Sequence, residues 1–186
     1  MFDEEKVTEA IRLLLEGIGE DPDRDGLKDT PDRVMRMYRD TLSGYYEDPE
    51  KYLKIFEDNT KNMVVVKDIP FFSYCEHHLA PFIGKLHIGY VPHKKVIGIS
   101  KLVRLARVFA KRLQIQERLT DQIADLLMKK LKPLGVAVYI EAEHTCMTLR
   151  GVRAPGAKTV TSAIRGCFCV DKDGTRQEFL EVIRSK

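Results

Sequence analysis

No stretch of this sequence comes near the ~18 consecutive apolar residues that a membrane-spanning helix requires, so no membrane partner is expected. Charge of one sign is also missing in excess: 31 Lys and Arg stand against 28 Asp and Glu, a formal +3, too slight to imply nucleic-acid binding by bulk charge. The four cysteines are too few and too unevenly spaced for a disulfide scaffold, which leaves metal binding or catalysis as their use. Repeats, low-complexity tracts and linkers are absent. At 186 residues the chain therefore suits one domain, or a core domain with a helical appendage. The opening Met-Phe-Asp-Glu-Glu-Lys is acidic where a signal peptide is basic and then apolar, and a cytoplasmic protein is expected.

What is present changes texture near residue 63. Before it, Val7, Ala10, Ile11, Leu14, Leu15 and Ile18 recur at helical spacing, and Thr30-Pro31 starts a second helix with Val34, Met37, Tyr38 and Leu42 as its stripe. Asp48-Pro49 opens a short third helix carrying Tyr52, Leu53 and Phe56. After it the chain turns β-branched: strands are expected over Met63–Lys67, through the Pro70 region, over Ile83–Val91 and over Val96–Ser100. Lys101–Gln114 and Thr120–Lys132 read as two helices. Val136–Arg150 reads as a strand whose parity puts Ile140, Ala142, His144, Cys146, Thr148 and Arg150 on one face. Thr159–Val170 is a further strand and Glu178–Ile183 a closing helix. The order implies an α+β fold: residues 1–62 an N-terminal helical layer, and residues 63–186 an antiparallel sheet with two helices on one face.

The densest chemistry lies in Cys75-Glu76-His77-His78. A thiolate and an imidazole three residues apart can both reach one zinc ion, and Glu143-His144-Thr145-Cys146 offers a second imidazole and thiol downstream. Cys75, His78 and Cys146 make a three-ligand set that leaves a fourth position for water, whose pKa zinc lowers to about 7. His77 and His144 are then free for proton transfer. Cys167 and Cys169 share a strand face in this reading but lack an accompanying histidine and are read as core; His87 and His93 are read as structural or surface. Ser100, Lys101 and Arg104 cluster where a strand becomes a helix, a ready anion site or else a solvated basic face. Gln116-Glu117, in the break between the two helices, could read the polar edge of a guanine or simply cap a helix. Arg33 and Arg36, one turn apart, are by themselves ordinary surface.

Four motifs together carry a resemblance: Ser73-x-Cys75-Glu76-His77-His78, Ile99-Ser100-Lys101-Leu102, Gln116-Glu117-Arg118-Leu119-Thr120, and His144-x-Cys146 with Arg150-Gly151-Val152. From Thr30-Pro31 to the C-terminal helix the chain resembles GTP cyclohydrolase I, the zinc enzymes of the tunnelling-fold superfamily. The resemblance implies one Zn2+ per chain on Cys75, His78 and Cys146. It makes His77 and His144, with Ser100, the proton-transfer groups. Gln116 and Glu117 would hold the guanine edge, and Ser100, Lys101, Arg104 and Arg150 the ribose and triphosphate, joined by Arg33 and Arg36 of neighbouring subunits. A toroidal homodecamer is implied, its sheets closing into a barrel, with GTP and water giving formate and 7,8-dihydroneopterin triphosphate at the head of pterin biosynthesis. Two alternatives are a related tunnelling-fold deazaguanine nitrile reductase and a non-catalytic protein that binds zinc and GTP. One departure is Ala154, where some members carry a lysine; Lys158 or Arg153 would have to replace it. Glu76 is left as support for the ligands or as loop structure.

Overall fold

In the computed structural model, residues 2–170 and 174–185 are described. The chain opens with α1 (Glu4–Gly17) and α2 (Thr30–Thr41). The Asp3 carboxylate accepts the Lys6 N–H at 3.1 Å and caps α1, while Pro31 sits in the first turn of α2, where a missing N–H costs nothing. The two helices pack on each other. No residue of α1 is fully buried, however: Val7, Ile11 and Leu15 are half-buried, while Ala10, Leu14 and Ile18 are exposed, the last two at 58% and 66%, so one side of the apolar stripe seen in the sequence faces out of this chain. Where a third helix is expected after Asp48-Pro49 there is a single 3-10 turn, Pro49–Tyr52. Leu53 takes extended backbone and ends it, and Phe56 lies in the strand β1 (Ile55–Glu57).

The remaining elements are β2 (Val64–Cys75), β3 (Pro81–Val91), β4 (Lys95–Ile97), α3 (Ile99–Ala110), β5 (Leu113–Gln114), α4 (Gln116–Leu131) and β6 (Gly135–His144). After them come α5 (Thr145–Thr148), β7 (Lys158–Gly166), α6 (Cys167–Val170) and α7 (Thr175–Arg184). The main sheet runs β5-β2-β3-β6-β7. It is antiparallel apart from the two-residue parallel pairing of β5 with β2, and β1 and β4 form a separate ribbon. Helix α3 lies over β2 and α4 over β6 and β7, the two-helix layer expected. Beneath it Leu86, Ile88 and Tyr90 of β3 and Val136, Val138, Ile140 and Ala142 of β6 are at most 1% exposed. On the other face α6 and α7 cover only the Gly89 end: a Cβ on Gly89 would stand 2.7 Å from Phe179 Cδ2, so only glycine lets that ring sit on the strand.

Several boundaries differ from the sequence reading. The strand expected to reach Arg150 stops at His144, because the Thr145 hydroxyl donates to the Pro81 carbonyl at 2.6 Å and the backbone turns into α5. Cys146, Thr148 and Arg150 therefore leave the face that Ile140, Ala142 and His144 share. The last strand stops at Gly166, where φ is +62°, so Cys167 and Cys169 lie on a helical turn and not on one strand face. Ser100 belongs to the first turn of α3, and Gln116 opens α4 instead of lying in a break.

One irregularity decides where the first cysteine points. Val66 pairs with Ile88 and Ile69 with Leu86, so Lys67 and Asp68 together oppose His87, a β-bulge. Side-chain direction alternates along a strand. The extra residue moves the helix-covered face from Val64 and Val66 to Ile69, Phe71, Ser73 and Cys75. Asp68 takes a φ of +56°. Its N–H donates to His87 Nδ1 at 3.1 Å, and its carboxylate accepts from Lys85 at 2.8 Å.

Candidate active site

Because of that bulge, Cys75 ends β2 on the face where His144 ends β6. Phe82, at the start of β3, pairs with His144 and stacks on it, ring centres 4.4 Å apart and planes within 5°. After Cys75 the chain makes a tight turn, with the His78 and Leu79 N–H groups both donating to the Cys75 carbonyl. This brings His78 Nδ1 to 3.7 Å and His77 Nδ1 to 3.8 Å from the Cys75 sulfur. Helix α5, pinned by Thr145, delivers Cys146. The ligand atoms of Cys75, His78 and Cys146 all lie within 4.8 Å of one another.

This donor set fits a soft, tetrahedral divalent cation. Two sulfurs and one imidazole are zinc donors, and two thiolates side by side repel unless a cation lies between them. Burial first, and then the neighbouring Cys75 sulfur, push the Cys146 thiol above its ordinary range, the cost a bound cation offsets. Among the described residues no other group of His, Cys, Asp and Glu is arranged to hold a metal. Cys169 donates its S–H to the Ile164 carbonyl.

Gln116 explains how His144 is oriented. Its side-chain NH2 faces three acceptors, the Ile140 carbonyl at 3.1 Å, the Thr159 carbonyl at 3.0 Å and Thr161 Oγ1 at 3.1 Å. Its carbonyl oxygen therefore faces His144 Nε2, 2.8 Å away. An amide oxygen can only accept, so Nε2 carries the hydrogen. In the neutral ring Nδ1 is then the basic nitrogen, and among the described residues it has no hydrogen-bond partner. Burial lowers the pKa of His144, partly opposed by the Glu117 charge. Thr120, whose hydroxyl donates to the Gln116 carbonyl and meets Thr161 at 2.7 Å, completes the cluster. Glu117, the next residue, is exposed in the first turn of α4.

The other sequence candidates divide. Arg150 reaches the cluster and donates to His78 Nε2 at 2.7 Å. His77 lies beside it with a side chain 63% exposed. Ser100 and Lys101 do not reach it: α3 starts beside β4, at the Val91 end of the sheet, and needs its twelve residues, about 18 Å of helix, to return toward Cys75. Arg104 lines a separate cavity of about 250 Å³ with Glu47, Tyr52, Arg107 and Lys111. Arg33 is paired with Asp29 at 2.9 Å, and both it and Arg36 are exposed on α2. Lys158, a candidate to stand in at Ala154, is tied to Glu141 at 2.6 Å. The sequence reading gave no partner to Phe82, Thr120 and Thr161, whose contacts arise only from how β3, β6, β7 and α4 come together. It also missed Arg118, whose guanidinium makes two bonds to Glu76, at 2.6 and 3.1 Å, and holds that carboxyl below the usual range.

A family model described as GTP cyclohydrolase I matches residues 7–184. The chain belongs to the GTP cyclohydrolase I family. A protein of Pelotomaculum thermopropionicum described as GTP cyclohydrolase 1 is 57% identical over 188 residues, covering all of both chains. Proteins with the same description from Thermoanaerobacter pseudethanolicus and Aquifex aeolicus are 55% and 56% identical, covering 100% and 98% of each chain. Among solved structures, an archaeosine synthase QueF-Like in the apo form aligns at a TM-score of 0.44 and 16% identity, over 56% of this chain and 93% of that one; at that score the likeness carries no argument. Full-length identity to GTP cyclohydrolase I proteins makes the chain an enzyme of this type and favours it over the nitrile reductase and the non-catalytic binder. No helix among the described residues is long and apolar enough to cross a membrane.

Proposed function

We propose that the protein converts GTP and water to formate and 7,8-dihydroneopterin triphosphate, the first step of pterin biosynthesis, in the cytoplasm. The observation that carries this reading is the convergence of Cys75, His78 and Cys146 within 4.8 Å next to an imidazole whose tautomer Gln116 fixes. Cys75, His78 and Cys146 would hold one zinc ion per chain, which when bound supplies a Lewis acid and lowers the pKa of water.

The chain's own groups do the rest. The Glu117 carboxylate accepts the two N–H donors of the guanine edge, beside Gln116, and so fixes the purine near His144. His144, protonated on Nδ1, donates to N7 as water adds at C8 and the imidazole ring opens. Phe82, stacked on one face of His144, keeps its plane. A second water releases C8 as formate. Rearrangement of the ribose and closure onto the freed amine expel one water, leaving one consumed overall, with His77, exposed and next to Cys75, and Ser100 as further proton carriers.

Ser100, Lys101 and Arg104 meet the ribose and triphosphate from a neighbouring copy, as do Arg33 and Arg36, while Arg150 acts from the same chain. The length of α3 between Ser100 and the thiols supports a site shared between chains. The outward side of the apolar stripe of α1, and Leu149 and Val152, 76% and 72% exposed beside the site, support burial against other copies. We read the assembly as a homodecamer in which β7 of one chain and β2 of the next close a barrel.

The test is incubation with GTP, following formate and, after oxidation, pterin fluorescence, beside Cys146→Ala. Wild type should release formate with about one zinc per chain, and the variant should lose both. Formate release persisting in the zinc-free variant would overturn the mechanism.

A further inference from the structure

Glu76 sits inside the metal-ligand turn, between Cys75 and His77, yet it faces neither the thiols nor solvent alone. Arg118 grips it with a two-pronged fork, NH1 to Oε2 at 2.6 Å and NH2 to Oε1 at 3.1 Å. Arg118 directly follows Gln116, which holds His144, and Glu117. A second link runs parallel to the fork: the Glu76 N–H donates to the Gln114 carbonyl at 3.0 Å, where Cys75 pairs with Gln114 in the short parallel ladder. The turn that presents Cys75, His77 and His78 is thus fastened to β5 by one backbone bond and to the start of α4 by two side-chain bonds. Glu76 Oε1 is also 3.9 Å from His77 Nε2.

We propose that Glu76 and Arg118 are a positioning pair, setting the metal-ligand turn and His77 at a fixed distance and angle from Gln116, which holds His144, and from the purine-reading Glu117. The proposal rests on the GTP cyclohydrolase reading above. Two considerations select positioning over plain stability. The side chains are 31% and 42% exposed, and ion pairs that face water add little to folding. The fork, unlike a single contact, also fixes the angle between two planes, which matters only where groups on both sides must meet one ligand. Lysine at 118 keeps the charge and loses the fork.

The experiment uses the full zinc-loaded protein and four variants: Arg118→Lys, Arg118→Ala, Glu76→Gln and the double Glu76→Gln/Arg118→Ala. Three quantities are read: kcat and KM for GTP, zinc affinity by competition with a chromophoric chelator, and Tm. Each single variant should lower kcat, or zinc affinity, by about 10- to 100-fold, the range found when groups that orient metal ligands are removed, with Tm little changed. The double variant should be no worse than the worse single one, because the two act as a unit. Arg118→Lys should resemble Arg118→Ala more than wild type. The pair is not a positioning device if the losses multiply in the double variant, if lysine restores full kcat and zinc affinity, or if activity falls only in step with Tm. Wild-type protein that binds zinc but releases no formate would sink the cyclohydrolase reading instead; the zinc-affinity cycle still decides the pair.

Discussion

His87 and His144 stand on neighbouring strands of one sheet, on opposite faces, and burial lowers the pKa of both. They differ in which nitrogen is committed and to what. His87 gives Nδ1 to a backbone N–H at Asp68, so it serves the bulge that turns Cys75 toward the helices. His144 gives Nε2 to a side chain, Gln116, that is itself held by three acceptors, and its Nδ1 has no hydrogen-bond partner among the described residues. On the proposed reading, one imidazole builds the site and the other works in it. Neither burial nor pKa direction separates them; the hydrogen-bond partner does.

The comparison breaks most severely if the bulge goes. Asp68→Val penalises the left-handed backbone the bulge needs; pairing every residue of β2 in simple alternation then turns Cys75 to the other face, so zinc content per folded chain should fall sharply, and full zinc content would mean that the bulge does not set the ligand. A smaller effect is expected at Gln116→Ala. Without the amide His144 can turn or change tautomer, so kcat should fall by part of the about 10²–10⁴-fold that a general acid supplies, while zinc content stays at the wild-type value. An unchanged kcat would show that His144 is held some other way.

The smallest effect is one of pH. In the unfolded chain His87 titrates near 6.5, and burial lowers its pKa in the fold. The unfolded state therefore takes up the proton first, and the stability His87 contributes is intact above about pH 6.5 and lost as pH falls through its folded pKa. Thermal melts of wild type and His87→Gln should converge on acidification, from a gap of about 2–4 °C at pH 7.5. A gap that widens instead would reverse the assignment.

Local spacing made much of this legible in the sequence. Cys75 and His78 are three residues apart, and His144 and Cys146 flank one residue, so the three donors that the fold brings within 4.8 Å of one another could be named without a structure. The two-helix layer was legible because Leu102, Leu105 and Phe109, and Ile123, Leu127 and Leu131, repeat at helical period. What could not be read depends on contacts between distant segments. Nothing at Lys67-Asp68 announces a bulge, since neither residue is glycine or proline and the left-handed turn is held by His87 and Lys85 from the next strand. The end of β6 at His144 follows from Thr145 bonding Pro81, 64 residues away. Gln116 reads locally as a helix start or a purine contact; that its amide is taken up by β6, β7 and His144 emerges only from the register of those strands. The reach between Ser100 and Cys75 is likewise a matter of helix length, which residue types alone do not give.

The claim that His144 works while His87 builds is tested most directly by assaying His144→Ala and His87→Ala side by side for formate from GTP and for zinc. The account predicts that His144→Ala keeps its zinc and loses formate release by about 10²–10⁴-fold, while zinc-loaded His87→Ala melts lower but turns over per bound zinc at close to the wild-type rate. Formate release by His144→Ala at the wild-type rate, or loss of its zinc, would contradict it.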